Sequence, residues 1–358
     1  MSGALIELVS KGVQDAYITS DDGSSLFKMK YTRHTNFAMA PKKIDVFDAV
    51  GSTTTSVKIP ALGDLINEMW LEADNIATYL SGTIFELFIG GQLIDSHTYD
   101  YLADIWPVYM AENSTKSQTM NNAITQSNRN FFPLHFFFCD NGLFLPLIAL
   151  QYHEVEIKIH WGSSSVSNIR ACANYVYLDT DEREAMANRK MDIMVTQVQK
   201  RDSTLSTGKN DIDISYLNHP VKSLYFGFEA ESPLIQKDRF TFTSGDLQLN
   251  GTYVLEDMTP DYFHTVQGYY RCPHGVINYD SVFKCPVYTR YYTYNFCMNA
   301  NEYRPTGTCN FSRIDNGKLT LRGVEKGTDR SDTELNIYAV NYNILRIERG
   351  LGGILFGN

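Results

Sequence analysis

The sequence predicts an all-β protein made of two successive sandwich domains, with jelly rolls as the leading type. Its 358 residues exceed the usual size of a single domain. Its 23 tyrosines and 20 phenylalanines suit sheets better than helical bundles. Short strand-like runs follow one another with turn residues between them, which is typical of sandwiches and barrels. The pattern alone does not separate a jelly roll from another Greek-key sandwich.

The apolar stretch over residues 131–161 gives the clearest strand signal. It reads FFPLHFFFCDNGLFLPLIALQYHEVEIKIHW. A membrane-spanning helix needs about 20 uninterrupted apolar residues, but two prolines and the turn signal Asp140-Asn141-Gly142 break this run. From Tyr152 onward apolar and polar residues alternate, as in a strand with one buried face. We expect two apolar β segments around a polar turn, packed in a thick core, and no membrane span.

The remainder of the first half follows the same pattern. Residues 83–89 and 92–95 flank Gly90-Gly91 and predict a β-hairpin. Residues 173–178 predict a further strand. Residues 96–130 are long, polar and rich in Asn, Ser and Thr, so we expect an outward or intersubunit loop there.

Helix is expected in one place, before the second half begins. Residues 180–187 carry acids in the first turn, where the helix dipole favours them, and Thr180 is the candidate N-cap. A strand over 192–199 follows, and then a polar break from Lys200 to Asp211. The predicted organisation is an N-terminal arm over 1–23, a first jelly roll over 24–205, a linker over 206–215 and a second jelly roll with a C-terminal tail over 216–358.

The second half shows the same succession of short predicted strands and turns as the first. Strands are predicted at 221–226, 287–294 and 335–346, and a strand ends in a turn at 247–251. The tyrosine-rich region 252–285 is a second candidate outward loop. We expect the glycine-rich end, residues 350–358, to be a flexible apolar tail.

Charge and cysteine usage exclude several classes of protein. The net charge is -10, from 31 basic and 41 acidic residues, which argues against a nucleic-acid surface because such binding needs clustered Lys and Arg. The first residues lack the basic and apolar regions of a secretory signal. The six cysteines have no C-x-x-C spacing, so we expect reduced thiols and no zinc site.

No group of residues in the sequence has the spacing of a known catalytic site. The sharpest enzyme hypothesis for a tandem jelly roll is a two-cupin metal enzyme, which needs closely spaced histidines and a carboxylate around one ion. None of the eight histidines forms His-x-His, and the chain has no nucleophile elbow and no phosphate loop. We therefore predict no enzymatic activity, no cofactor and no metal. A monomeric sugar-binding sandwich is a further alternative.

Three N-glycosylation sequons occur, at Asn113, Asn250 and Asn310. Asn113 lies in the long polar region 96–130, so it is the one candidate glycan site among them.

Several separate blocks resemble the major capsid proteins of nucleocytoplasmic large DNA viruses, the family of iridovirus and phycodnavirus capsids. They occur in the expected order from one end of the chain to the other. The blocks are GVQD (12–15), FKMKYTRHTNF (27–37), ELFIGGQLID (86–95), LPLIALQYHEV (145–155), YVYLDTDER (175–183), NHPVK (218–222), PTGTCNFSRID (305–315), YAVNYNILR (338–346) and GLGG (350–353).

The resemblance implies a double jelly roll of two eight-stranded units, whose homotrimer forms a pseudo-hexagonal capsomer. Such capsomers would tile an icosahedral shell around an internal membrane, in a virion assembled in the host cytoplasm. The implied partners are the same chain, neighbouring capsomers, and minor and penton proteins, with indirect membrane contact and no direct nucleic acid. The chain is short for this family, which leaves open a minor or paralogous capsid protein or an assembly scaffold.

The resemblance also assigns a place to the N-terminal arm. In the manner of the family, residues 1–23 would lie beneath the first jelly roll and contact neighbouring subunits or minor proteins, with Gly12, Gln14 and Asp15 as the contact residues. An arm that only covers the base of its own sheet is the alternative.

Overall fold

Strands dominate the regular structure of the computed structural model, which describes residues 10, 12–19, 27, 33–120, 130–139, 142–228, 240–272, 279–280, 285–286, 291–326 and 334–357. The chain divides into two compact units, residues 1–36 and residues 37–358. All the sheets described below belong to the second unit.

The first lobe, residues 37–178, contains two antiparallel sheets. One sheet has the order β1-β9-β3-β6, with β7 beside β3, and the other has the order β2-β8-β4-β5. The strands are β1 (Phe37–Ala49), β2 (Thr54–Ile59), β3 (Leu65–Glu72), β4 (Ile84–Ile89), β5 (Gln92–Thr98), β6 (Phe131–Leu134), β7 (Leu145–Pro146), β8 (Val155–His160) and β9 (Val166–Leu178).

The second lobe, residues 191–354, repeats this plan. Its sheets have the orders β10-β21-β12-β18, with β19 and β22 at the side, and β11-β20-β14-β15, with β13 beside β20; β16 and β17 form a separate pair. The strands are β10 (Met191–Thr204), β11 (Gly208–Asp213), β12 (Pro220–Gly227), β13 (Phe240–Thr241), β14 (Ser244–Leu249), β15 (Thr252–Met258), β16 (Tyr279–Asp280), β17 (Cys285–Pro286), β18 (Tyr291–Asn295), β19 (Cys309–Asn310), β20 (Gly317–Lys326), β21 (Glu334–Glu348) and β22 (Leu351–Ile354).

The two lobes share one strand order, which is that of a jelly roll. In each lobe a long first strand pairs with a long late strand, β1 with β9 and β10 with β21. In the facing sheet of each lobe, the second strand pairs with the strand that precedes this long late strand. Thus β2 pairs with β8, and β11 pairs with β20. This Greek-key arrangement confirms the predicted double jelly roll.

Helical segments are short and lie between strands. They are the α-helices α1 (Ser114–Met120), α2 (Thr180–Asn188) and α3 (Gln267–Arg271), the π-helical segments Tyr101–Met110 and Tyr262–Val266, and the 3₁₀ turns Gln14–Tyr17, Ile76–Tyr79, Phe137–Cys139, Leu147–Ala149 and Phe311–Arg313. The helix predicted over 180–187 is confirmed as α2. Its N-cap is Asp179, whose side chain accepts a hydrogen bond from the Thr180 amide, so the predicted cap was one residue too late. Among the described residues no helix has the length and apolar character needed to cross a membrane.

Apolar side chains form two core clusters. The first fills the first lobe and continues into the second through residues such as Val195 and Tyr338. The second lies between the two sheets of the second lobe. The alternation that predicted β8 is confirmed, because Val155, Ile157 and Ile159 are buried and the residues between them are half-buried.

Residues 131–150 pack in the core as predicted, but fewer of them form strands than expected. Only Phe131–Leu134 and the two-residue β7 are strands, and two 3₁₀ turns contain half of the other described residues. Its central phenylalanines are nevertheless buried, as predicted for core residues. The turn residues Asp140 and Asn141 lie outside the described residues, as do 287–290 of the strand predicted at 287–294.

Strand pairing differs from the predicted domain limits. Strand β10, which was assigned to the first jelly roll, pairs along its whole length with β21 of the second. The predicted linker 206–215 contains β11, which pairs with β20. Polar residues are tolerated there because β11 alternates buried and exposed positions at the edge of a sheet. Helix α2 separates β9, the last strand of the first lobe, from β10, the first strand of the second lobe.

The C-terminal end is a strand and not a flexible tail. Residues Leu351–Ile354 form β22, which pairs with the end of β21 across the Arg349-Gly350 turn. Both turn residues have positive φ, which glycine adopts without strain. Gly350 therefore makes a tight turn, and Leu351–Ile354, which include Gly352 and Gly353, extend a sheet.

Candidate assembly surfaces

The joint between the two lobes is built around the π-helical segment Tyr101–Met110. Residues 101–109 are all buried, although this region was expected to be an outward loop. The Tyr109 hydroxyl donates a hydrogen bond of 2.6 Å to the backbone carbonyl of Tyr291 in the second lobe. The Ala111 carbonyl, just after the segment, accepts one from the Asn301 side chain at 2.8 Å. The segment Tyr101–Met110 therefore holds the two lobes together, and we call it the wedge.

Aromatic rings fill the space around this wedge. Tyr109 packs against Tyr225 with ring centroids 5.3 Å apart, and Tyr101 packs against Tyr338 at 6.0 Å. The Tyr338 hydroxyl also shares a 2.7 Å hydrogen bond with Thr98. Burial raises the pKa of Tyr225 far above its ordinary value. Tyr225 therefore stays neutral and serves as a packing group, whereas Tyr109 and Tyr338 both pack and make hydrogen bonds.

A second set of cross-lobe bonds connects strands β5 and β10. The Asp95 carboxylate accepts a hydrogen bond of 2.9 Å from the backbone amide of Val198. The Gln197 side chain donates to the carbonyl of Ile94. A carboxylate and a carbonyl of the first lobe thereby satisfy donors of the second.

Asp95 also contacts a buried histidine. Its second oxygen lies 2.8 Å from Nε2 of His97, and both side chains are at most 3 % exposed. The His97 ring lies between Tyr101 and Phe136, at 5.1 and 5.0 Å between centroids. Since Asp95 also accepts from the Ser96 amide, its charge is held by three donors, as a buried carboxylate requires.

Buried amide side chains extend the joint to the C-terminal end. The Gln197 carbonyl oxygen accepts from the side chains of Asn341 and Asn343 on β21, at 3.4 and 2.9 Å. The Asn343 side chain also donates to the Phe356 carbonyl at 2.8 Å. One hydrogen-bond network therefore connects the first lobe, β10, β21 and the residues after β22.

Among the described residues, burial shifts the pKa of several ionisable groups. Burial lowers the pKa of His135 well below its ordinary value, and the nearby His97 and Lys116 act in the same direction; its ring stacks on Trp106 at 3.5 Å. Burial raises the pKa of the Cys272 thiol to about 12, which makes it a poor nucleophile. Within the described ranges, no three His, Cys, Asp or Glu side chains are grouped as a metal site would need. The free thiols are those of Cys139, Cys172, Cys272, Cys297 and Cys309.

Exposed apolar side chains lie on an edge strand of each lobe. On β1, an edge strand, Phe37, Met39 and Val46 are exposed. They pair with residues of β9 that alternate with the buried core residues Ala171 and Ala173, so they lie on the face turned away from the first lobe's core. The second lobe exposes Tyr253 and Val254 on β15, and Val266, Tyr269 and Tyr270 on the helical segment that follows.

The predicted contact residues of the arm lie together in the first unit. A 3₁₀ turn over Gln14–Tyr17 brings the Asp15 carboxylate within 2.7 Å of the Gly12 amide. Gln14 is exposed. The turn leaves Tyr17 and Ile18 exposed as well. The assignment of Gly12, Gln14 and Asp15 as contacts stays a prediction.

The predicted glycan site Asn113 is exposed at the start of α1. Its side-chain oxygen accepts a 2.9 Å hydrogen bond from the Lys116 amide, so it acts as the N-cap. Asn250 is different, because its amide group bonds to the backbone of Arg313, Asp315 and Asn316.

The cross-lobe residues were not identified from the sequence, although signals were present. Asp95 ends the predicted strand 92–95 and His97 follows two residues later, so a slightly longer strand would place both side chains on one face. The run YLADIWPVY over 101–109 is mostly apolar, unlike the polar region around it. The surface of the second lobe that buries these groups could not be inferred from the sequence.

Comparison with known proteins gives a consistent result along the whole chain. Residues 25–167 match the family described as major capsid protein N-terminus, and residues 182–353 match large eukaryotic DNA virus major capsid protein. The chain is 35% identical to the major capsid protein of Pyramimonas orientalis virus and 29% identical to that of Paramecium bursaria Chlorella virus 1, each over 100% of both chains.

Solved structures agree with these relatives. A chain of the PBCV-1 virus capsid superposes with a TM-score of 0.77 and 26% identity, over 93% of this chain and 100% of that one. The Faustovirus major capsid protein superposes with a TM-score of 0.71 at 10% identity, over 95% of both chains, and so shares the fold.

Proposed function

This chain belongs to the family of major capsid proteins of large eukaryotic DNA viruses, and we propose that three copies close into one pseudo-hexagonal capsomer. It is a structural component of the virion capsid. The sequence blocks that resembled this family, and the fold they implied, are confirmed. The number of copies in a capsomer and the contacts between them are the proposal.

The repeated strand order carries the proposal. Each chain has two lobes with the same arrangement of strands, so three chains in a ring offer six similar lobes. A threefold ring uses a heterologous interface that closes. A six-cornered tile made in this way can fill a flat array with one kind of subunit.

A tile also needs a fixed angle between its lobes, and the joint supplies it. The wedge Tyr101–Met110, the Asp95 carboxylate and the Gln197 amide all bond across the joint in buried positions. Interfaces of this kind have few alternative arrangements because each buried polar group would lose its partner. Two lobes joined in this way would act as one rigid piece of a capsomer.

The remaining partners follow from the same role. We propose contacts with neighbouring capsomers and with minor and penton proteins, indirect contact with an internal viral membrane, and assembly in the host cytoplasm. The arm residues Gly12, Gln14 and Asp15 would contact neighbours at the base, and Asn113 would carry any glycan. The protein would have no enzymatic activity and need no cofactor.

The native mass of the purified protein tests the proposal. Size-exclusion chromatography with light scattering should give three times the 40.7 kDa of one chain. Electron microscopy of the same fraction should show rings with six lobes. A stable monomer, or one equivalent of a bound transition metal per chain, would contradict the capsomer and favour the two-cupin alternative.

A further inference from the structure

We propose that a cavity on the outer side of the first lobe binds a neutral single-chain amphiphile, a molecule with one apolar chain and one hydroxyl head such as a long-chain alcohol. The cavity has a volume of about 420 Å³, which is within the range of small-molecule sites in proteins. Strands β3 and β6 and helix α1 contribute its walls. This role goes beyond the proposed capsomer and does not depend on the number of copies in it.

The cavity lies on the face of the sheet β1-β9-β3-β6 that is turned away from the core. Trp70 of β3 pairs with Pro133 of β6, and their neighbours Leu71 and Leu134 are buried in the core of the first lobe. Because side chains alternate along a strand, Trp70 and Pro133 point to the opposite face. Helix α1 lines the same cavity. The cavity is therefore a space between the outer face of the sheet and the helix.

A buried nitrogen atom without a partner indicates that the cavity takes a ligand. His135 follows β6 and lines the cavity. Its Nε2 atom is buried, and no atom of the described residues forms a hydrogen bond with it. Buried polar groups have a hydrogen-bond partner in the great majority of cases. The ring is neutral, because burial lowers its pKa well below the ordinary value, so Nε2 can pair with a hydroxyl group.

The remainder of the wall suits an apolar chain. Most of its surface is apolar, with the indole rings of Trp70 and Trp106 and the side chain of Met120 among its groups. The Trp106 ring also stacks on His135 with centroids 3.5 Å apart, which fixes the orientation of the imidazole. Methionine side chains adapt their shape to a flexible ligand. An aliphatic chain would leave water here while its head stays beside His135.

The charges around the cavity favour a neutral head group. Lys116 lies near enough to His135 to act on its pKa, so it would repel a cationic head. Lys116 is itself paired with Glu112 at 2.9 Å, which compensates its attraction for an anionic head. Glu68 is a further carboxylate in the wall and forms no ion pair within the described part of the chain. A carboxylate or phosphate head would be repelled there, whereas a hydroxyl head meets neither repulsion.

The backbone of β3 is unusual at the same place. Glu68 has a φ of 47°, which is uncommon for a residue with a side chain. The pairing of β3 with β9 skips this residue, since Asn67 pairs with Asn174 and Met69 pairs with Ala173. Such β-bulges are frequent beside functional sites because they redirect a side chain. Here the bulge places the Glu68 carboxylate in the cavity wall.

Intrinsic fluorescence measures binding in the full-length protein. Trp70 and Trp106 line the cavity, whereas Trp161, the third tryptophan of the sequence, does not. Titration with 1-decanol should give a saturable change in tryptophan emission with one equivalent bound per chain. Decanoate and decyltrimethylammonium have similar chains with a charged head, and they should bind about tenfold more weakly.

Variants locate the site. Thr115→Phe fills the cavity from an exposed position on α1 and should abolish binding. Ser114→Phe, at the exposed neighbouring residue that does not line the cavity, is the matched control and should bind as the wild type does. His135→Leu should weaken decanol binding about tenfold because the head loses its partner, whereas His135→Gln should retain most of the affinity. All proteins are produced in bacteria, so that no glycan at Asn113 differs between them, and circular dichroism verifies that each is folded.

The outcomes decide the site and the head group separately. Saturable decanol binding that Thr115→Phe abolishes and Ser114→Phe leaves unchanged supports the site. A signal that rises without saturation in the wild type, or that is the same in Thr115→Phe, overturns it. Tighter binding of either charged ligand, or an unchanged affinity of His135→Leu for decanol, overturns the assigned hydroxyl head. The native mass tests the capsomer independently of all these results.

Discussion

Replacement of Asp95 by alanine should strongly destabilise the protein and weaken the coupling between its lobes. The carboxylate accepts hydrogen bonds from the backbone amides of Ser96 and Val198 and pairs with His97 at 2.8 Å. The Val198 amide belongs to the second lobe, so one side chain satisfies donors on both sides of the joint. Alanine would remove all three interactions at once.

The magnitude follows from the burial of these groups. The side chains of Asp95 and His97 are 2 % and 3 % exposed, so water cannot replace the lost acceptor. Alanine leaves three donors without their acceptor, the two backbone amides and the His97 ring, and a buried donor left without a partner costs about 1–3 kcal/mol. We expect a loss of about 3–5 kcal/mol in the free energy of unfolding, because these contributions overlap within one network.

Urea unfolding followed by tyrosine fluorescence and by circular dichroism would measure this change. The wild type should unfold in one transition, and Asp95→Ala should unfold earlier, with separate transitions for the two lobes. Asp95→Asn keeps an acceptor for the Val198 amide and should lose less. Glu154→Ala, at an exposed ion pair, should leave the midpoint unchanged. A loss below about 1 kcal/mol for Asp95→Ala would refute the reasoning, since a single unpaired buried donor already costs that much.

Further predictions concern the wedge, the response to acid and the absence of a metal. Tyr109→Phe removes the buried hydrogen bond to the Tyr291 carbonyl and should cost about 1–2 kcal/mol in the same urea assay, whereas Tyr152→Phe, at an exposed ring, should cost nothing measurable. Because burial lowers the pKa of His135, the unfolded chain binds a proton there below about pH 6.5 that the folded chain does not. Stability should therefore fall as the pH drops below that value, by up to about 1.4 kcal/mol per pH unit, and His135→Leu should flatten this slope in calorimetry between pH 7 and 5. Burial acts to raise the pKa of Asp246, but hydrogen bonds from Arg322 and the Asp257 amide lower it overall; its contribution is present above about pH 4 and lost in stronger acid, so Arg322→Ala should move the acid-unfolding midpoint, followed by circular dichroism, to higher pH. Dialysis against a chelator should change neither the native mass nor the thermal midpoint, and a loss of either would point to a structural or catalytic ion.

Local patterns in the sequence were sufficient for many of the elements. Strict alternation identified β8, and the Gly90-Gly91 turn identified the hairpin β4–β5. Acids in a first turn identified helix α2. Each of these signals depends on residues within a few positions of one another, which is why it can be recognised without the fold.

The segments whose structure was predicted wrongly depend instead on distant parts of the chain. The polar residues of 206–215 suggested a linker, and the glycines of 350–358 suggested a flexible tail, but both segments form strands because a distant strand pairs with them. The polar surroundings of 101–109 suggested a surface loop, yet the segment is buried by the second lobe. Neither the pairing partner nor the covering surface can be inferred from the segment itself.

The sequence by itself determined the β class, the core residues of the regular strands and, through its ordered blocks, the capsid family. Only the tertiary structure decided where the first lobe ends, which polar groups bond across the joint and which apolar side chains remain exposed. The physical reason is the range of the interactions. Backbone preference and side-chain alternation act over a few residues, whereas the burial of Asp95 depends on strand β10, about a hundred residues away in the chain.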